Sequence, residues 1–361
     1  MKKNLLFLLL TLSYISNAQD KGKRLDAVFT NLYQKGEFNG NVLIAEKGNV
    51  IFKKSYGFAN EATKELLNEN SIFELASCSK QFTAIAIAIL HKQNKLDFDD
   101  DIATFIPELS FYEGISVRNL VNHTSGLPDY MELFDSYWKK TKIANNDDLI
   151  ALYKKHKPKI TFRPNSRYEY SNTGYALLAT IIERVSKISY DDFLLENIFK
   201  PLGMTNSFVY TRRYKPAKVK NYAYGYVYDN KNVKILPDNF DDSKEVYFLD
   251  GIKGDGTVNS TVNDLLIWDR ALYSFKLLNK KETQELFMPT VLNNKKLSYY
   301  GFGWEIEKGE DLGKIVSHDG EWFGYISYIE RQLDKDRTII ILQNTEKGEL
   351  PTDKIRSILG K

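Results

Sequence analysis

The sequence predicts an α+β fold, in which one antiparallel sheet, built from both chain ends and flanked by helices, carries an inserted, mainly helical lobe. Three observations carry this reading. Strand-like runs cluster in residues 40–56 and again in residues 302–344. The stretch between them, about 77–278, is dominated by apolar residues at helical spacing. The late runs are separated by hairpin-sized connections, which join antiparallel neighbours.

Taken in order, Leu25, Val28, Phe29, Leu32 and Tyr33 repeat at helical spacing and stop near Gly36. Runs 40–45 and 50–56 flank the turn Lys47-Gly48-Asn49 and read as a hairpin. Helices are expected over 82–90, 176–185, 264–273 and 281–287. The polar, Tyr- and Lys-rich stretch 210–247 lacks periodicity and reads as extended loop. Strands follow over 302–307, 314–318, 324–332 and 337–344, with a closing helix over 354–359. The expected organisation is a single domain, 20–361. Its α/β lobe spans about 20–75 and 290–361, and its helical lobe about 76–289, with the default site in the cleft between them.

Composition narrows the function. A chain of 361 residues that is 43% hydrophobic and 27% charged is an ordinary globular protein. Its 50 Lys+Arg against 47 Asp+Glu, a formal charge of +3, supply no electrostatic argument for nucleic acid or an anionic surface. The single cysteine, Cys78, excludes an intrachain disulfide and reads as a small buried core residue. Four scattered histidines (His91, His123, His156, His318) argue against a zinc site, so no metal and no cofactor are implied. Lys2 and Lys3 before the apolar run 5–12, then Ser16-Asn17-Ala18, form the layout of a secretory signal peptide over residues 1–19. That run is too short to span a bilayer comfortably and no cysteine follows it, so a secreted or periplasmic protein without a stable membrane anchor is expected.

Three short motifs carry chemistry. Ser77-Cys78-Ser79-Lys80 sits where a strand-like segment meets a helix, so Lys80 returns to the face of the Ser77 hydroxyl. A desolvated lysine there can lose its proton and act as base or relay. Tyr170-Ser171-Asn172 opens another helix; a phenol beside an ammonium can have its pKa lowered, and the Asn172 amide can hold a substrate amide by donor and acceptor. His318-Asp319-Gly320 ends a predicted strand, where a glycine lets substrate lie against the edge and strand N–H groups can act as oxyanion donors. Each pattern is weak alone: Ser136-Tyr137-Trp138-Lys139 and Tyr228-Asp229-Asn230 are decoys within the same chain.

In this order the three motifs resemble the serine β-lactamase and penicillin-binding-protein superfamily, and most closely its class C-like branch of β-lactamases, D-amino-acid peptidases and esterases. Residues 73–83, Asn122-His123-Thr124-Ser125-Gly126-Leu127-Pro128-Asp129, Phe199-Lys200-Pro201-Leu202-Gly203-Met204 and Gly254-Asp255-Gly256 extend the resemblance over nearly all of the chain after the leader. The resemblance implies a β-lactamase/transpeptidase-like fold, Ser77 as acylated nucleophile, Lys80 as proton relay and Tyr170 as general base. It further implies that Asn172 binds the acyl side, that the Ser77 and Glu321 N–H groups form the oxyanion hole, and that Tyr130 lines the pocket. If Tyr170 is the base, hydrolysis should fall away in acid and plateau near neutrality.

Two positions depart from the family pattern. His318-Asp319-Gly320 stands where Lys-Thr-Gly is usual, and a mostly neutral histidine beside a carboxylate is poorly suited to an anionic substrate. Asn165 stands where relatives usually carry glycine, and asparagine tolerates left-handed geometry. The expected activity is a secreted serine hydrolase acting through an acyl-enzyme on a small ester, peptide or β-lactam-like substrate, with carboxylesterase or peptidase action favoured. A cell-wall D,D-carboxypeptidase or β-lactamase, using His318 or another cation for the carboxylate, is the alternative. A non-catalytic binding module is the third reading, against which all three catalytic positions are filled. Oligomeric state cannot be read from the sequence.

Overall fold

The computed structural model describes residues 20–240 and 244–360. The expected leader, residues 1–19, lies outside them. Strand β1 (Gly40–Glu46) forms a hairpin with β2 (Asn49–Tyr56), and four late strands follow: β3 (Glu305–Gly309), β4 (Gly313–Trp322), β5 (Tyr325–Gln332) and β6 (Arg337–Gln343). They form one six-stranded sheet in the order β3-β4-β5-β6-β1-β2, antiparallel throughout. The two chain ends meet where β1 pairs β6, with Val42 opposite Ile341 and Leu43 opposite Ile340.

Alternation decides what covers each face. Val42, Ile44, Ile339 and Ile341 point to one side, onto α1 (20–34) through Leu25, Val28 and Phe29 and onto the C-terminal helix (Thr352–Leu359) through Ile355. Leu43, Ala45, Ile340 and Leu342 point to the other side and join the large core shared with the helical lobe. Both central strands are therefore apolar on both faces, which is why their sequences run without polar alternation.

The centre of the helical lobe is α2 (Lys80–Lys92), whose residues 80–90 are all buried. A helix apolar on every side must sit inside the protein, and α2 packs between the sheet and a long helix, Asn172–Ser186. Short strands accompany the mainly helical stretch 76–289. Phe73–Glu74, Val258–Ser260 and Phe208–Val209 form a small antiparallel sheet against the nucleophile segment. Strands of two or three residues are too short to show a period. Strand β4 also runs on to Trp322 rather than stopping at His318. His318 and Gly320 are buried while Asp319 and Glu321 are exposed, so the polar residues that suggested an end are the outer half of an alternating strand. Stretch 210–247 is largely irregular, as expected, with a short hairpin (Val227–Tyr228, Lys234–Ile235) inside it.

Sheet and helical lobe are fastened by a buried ion pair: Arg331 of β5 donates to Asp269 of the helix Val262–Tyr273 at 2.6 Å, with 1% and 0% side-chain exposure. Removing the carboxylate strands a guanidinium in the core. Asp269→Ala should therefore destabilise the fold by about 3 kcal/mol, read as a lower urea midpoint at unchanged slope.

Candidate active site

The backbone reaches Ser77 through an uncommon conformation. Ala76 has φ +45°, a left-handed value that alanine rarely adopts, and opens the 3-10 turn Ala76–Ser79 leading into α2. Three contacts hold this turn to the sheet: Cys78 Sγ donates to the His318 carbonyl (3.1 Å), Ser327 Oγ donates to the Leu75 carbonyl (2.5 Å), and Gly320 lies flat against the turn. A Cβ on Gly320 would stand 2.4 Å from the Leu75 oxygen and 2.8 Å from the Ser77 nitrogen, so only glycine fits. Cys78 is buried, as expected, and its thiol serves as part of this contact.

Lys80 is fully buried beneath Ser77. Its ammonium donates to Ser77 Oγ (3.0 Å), Asn172 Oδ1 (2.9 Å) and the main-chain oxygen of Asp255 (3.0 Å). It also lies 4.8 Å from the centroid of the Tyr170 ring. Burial pulls its pKa down to about 8, against the opposing pull of the Asp255 and Asp129 carboxylates. Tyr170 keeps 38% of its surface exposed, yet burial around its hydroxyl pushes the phenol well above its usual value; the neighbouring Ser77 side chain draws it down, but burial prevails. The expected lowering of the Tyr170 pKa is therefore reversed. The group brought into range of neutrality is Lys80.

Asn172 begins the helix Asn172–Ser186, and its main-chain N–H donates to Asp129 Oδ2 (3.1 Å). Because its Oδ1 is occupied by Lys80, its amide N–H₂ is the part left to meet a substrate. Tyr130 is buried, lines the cleft and donates to Asp255 Oδ2 (2.8 Å). Asn165 does adopt the left-handed conformation, φ +58°, with its N–H on the Thr124 carbonyl (2.8 Å).

His318 does not reach the cleft. It is buried; its Nδ1 bonds the Asp319 carbonyl, which assigns the proton there, and its Nε2 accepts from the Tyr300 hydroxyl at 2.9 Å. Burial, then the Lys80 charge, pull its pKa down to about 4. Burial therefore favours the neutral imidazole, which counts against it as the cation of the alternative reading. The pairing of β3 with β4 ends at Ser317, opposite Glu305, leaving residues 318–322 free on that side. Glu321 and Trp322 line the cleft.

The cleft opens to solvent beside Ser77. Ser77 and Asn172 share it with Glu74, Asp250, Asp255 and Glu321, and with apolar Met131, Leu249, Ile252 and Trp322. No lysine or arginine is among its described lining residues. Asp250 is occupied by Arg213 (3.0 Å), and burial, then the Asp250 charge, push the Glu74 carboxyl up to about 8. The decoys fall elsewhere: Ser136 and Lys139 are exposed near the end of the helix Tyr130–Tyr137, and Tyr228 sits in the short hairpin. The sequence reading noted the stretches containing His123, Asp129 and Asp255 but gave those residues no role. Asp129 carries a helix-cap pattern that could have placed it; the Asp255 carbonyl has no side-chain signature to find.

A nucleophilic serine bonded to a buried lysine, a tyrosine over that lysine and a glycine strand against the serine define a serine acyl-transfer site. A model of the Beta-lactamase family matches residues 25–359. Penicillin-binding protein 4* of Bacillus subtilis (strain 168) is 44% identical over 330 residues, covering 91% of this chain and 73% of that protein. Protein flp of Staphylococcus aureus (strain MRSA252) is 25% identical over 92% of this chain, which spans 64% of its length. The penicillin-binding protein from Bacillus halodurans superposes with a TM-score of 0.77 at 25% identity, over 92% of this chain and 98% of that one. The chain belongs to the β-lactamase family of serine hydrolases, the class that includes penicillin-binding proteins.

Two outcomes follow from the geometry. If Lys80 is the base, burial that draws its pKa to about 8 should make the rate of Ser77 acylation rise with pH, half-maximal near about 8 rather than levelling off at neutrality as a Tyr170 base would; a stopped-flow pH series on an activated ester reads this midpoint. Gly320→Ala drives the strand off the nucleophile turn and should slow acylation at least about 100-fold, while far-UV circular dichroism stays native.

Proposed function

We propose that the protein is a hydrolase that acts through an acyl-enzyme on neutral esters or amides. One observation carries the reading: the Lys80 ammonium is bonded at once to Ser77, Asn172 and Asp255. In its amine form Lys80 takes the Ser77 proton as the oxygen attacks the acyl carbon. Tyr170, neutral and adjacent, gives its proton to the leaving group and is reprotonated from the Lys80 ammonium, which restores the amine; water then attacks the acyl carbon, its proton goes to that amine, and Ser77 leaves with a proton by the reverse route. The Ser77 and Glu321 N–H groups receive the developing oxyanion, and the Asn172 amide N–H₂ holds the acyl-side carbonyl.

Preference for an uncharged substrate rests on the cleft, where four carboxyl groups and no described lysine or arginine form the lining, and on the buried neutral His318. Asp250 is paired with Arg213 and burial keeps Glu74 protonated, so the reading rests on the absence of a lysine or arginine among the described lining residues, which leaves a substrate carboxylate without a cation beyond the buried Lys80. A second reading, a penicillin-reactive cell-wall D,D-peptidase, is favoured by the 44% identity to penicillin-binding protein 4*. Export past the cytoplasmic membrane is part of the proposal and rests on the layout of residues 1–19. Among the described residues no helix is long and apolar enough to cross a membrane.

Intact-mass labelling of the wild type and Ser77→Ala decides between these readings. A fluorophosphonate or activated short-chain ester should add one adduct to the wild type and none to the variant, with no adduct from benzylpenicillin. A long-lived penicillin adduct on Ser77 would establish the peptidase reading instead. No adduct from any reagent would remove the catalytic one.

A further inference from the structure

Tyr170 is held from both sides by a residue outside the reacting set. His123 is buried, at 1% exposure, and has φ +56°. Its carbonyl accepts from the Glu169 N–H at 3.0 Å, and its Nδ1 accepts from the Ser171 N–H at 3.1 Å. Those donors belong to the residues immediately before and after Tyr170. The imidazole also lies on the Tyr170 ring, with centroids 4.3 Å apart and planes at 31°.

The tautomer follows from the donor. A main-chain N–H can only donate, so Nδ1 carries no proton and Nε2–H does. Nε2 has no hydrogen-bond partner, and the ring meets Tyr300 edge-on at 4.6 Å. Burial and the nearby Lys80 charge keep this imidazole neutral, as an acceptor at Nδ1 requires. The left-handed backbone turns the carbonyl and the ring toward the same segment. Two further main-chain bonds, Asn165 N–H to the Thr124 carbonyl and Thr161 N–H to the Gly126 carbonyl (both 2.8 Å), fix the approach to that segment.

We infer that His123 is the positioning residue for Tyr170: its carbonyl and Nδ1 clamp the peptide groups on either side, and the Nδ1 acceptor holds the phenol in place over Lys80 and Ser77. This rests on the proposal that Tyr170 moves protons for Ser77. The clamp leaves ground-state substrate binding alone, so its loss falls on acylation rate rather than on affinity.

The test uses the full chain and the rate of fluorophosphonate labelling at Ser77, with kcat and KM on an activated ester alongside. His123→Phe keeps the stacked ring and removes the acceptor; it should slow labelling about tenfold or more, in kcat rather than KM. His123→Asn offers Oδ1 to the same N–H and tolerates the left-handed backbone, so it should recover to within about threefold of wild type. In a Tyr170→Phe background, His123→Phe should add less than about a twofold loss, because the residue it positions is already gone. Losses that multiply across the two backgrounds, an asparagine variant no better than phenylalanine, or a phenylalanine variant labelling at the wild-type rate would each overturn the inference. Imidazole ¹⁵N shifts of the wild-type protein give a check independent of variant folding: the Nε2–H tautomer is expected, and Nδ1–H would overturn the clamp. If the wild type is not labelled, the acyl-enzyme reading fails and the clamp falls with it. If Tyr170→Phe slows labelling and the His123 variants do not, only the clamp is lost.

Discussion

The active site depends on an ammonium group kept away from water. Lys80 is completely buried, and three oxygens receive its three N–H bonds, one from Ser77 on its own turn and two, from Asn172 and Asp255, from distant parts of the chain. An ammonium without such partners would make the interior untenable; with them it remains chargeable, but with a pKa drawn toward neutrality. The same set of bonds fixes where Ser77, Asn172 and Asp255 stand relative to one another. Asp255 then reaches Tyr130, and Asp129 reaches the Asn172 main chain, so the buried charge organises a second ring of groups around the first.

The sheet supplies what the lysine cannot, a fixed wall behind the nucleophile. Main-chain atoms of β4 approach the Ser77 turn so closely at Gly320 that a methyl group has no room. Cys78 and Ser327 add hydrogen bonds between the same two elements. Because β4 is held by β5, and β5 by the Arg331–Asp269 pair, the position of the Ser77 turn is tied to the junction of the two lobes.

The electrostatics of the cleft set this chain apart from the Lys-Thr-Gly pattern its motifs resemble. Where that pattern places a cation, His318 is turned inward to Tyr300 and kept neutral by burial. Carboxyl groups at Glu74, Asp250, Asp255 and Glu321 line the opening. The family relation is plain from 44% identity to penicillin-binding protein 4*, and the fold alone does not fix the choice of acyl group.

Much of this was legible in the sequence, for reasons that are local. Ser77 and Lys80 share a helical face because of their spacing, strands β1 and β6 announce themselves by continuous apolar runs, and the left-handed turn at Asn165 follows from the residue type. What the sequence could not determine depended on distance through space. The direction of the Tyr170 pKa is set by burial, which spacing does not report, and burial reversed the expectation. The inward turn of His318 depends on Tyr300, and the grip on Lys80 depends on a main-chain oxygen at Asp255, an atom every residue has. The sequence by itself therefore determined the fold class and brought forward the side chains proposed to react. Only the tertiary structure decided which of them carries the proton at neutral pH, because desolvation and hydrogen bonding act between groups that the chain brings together from far apart.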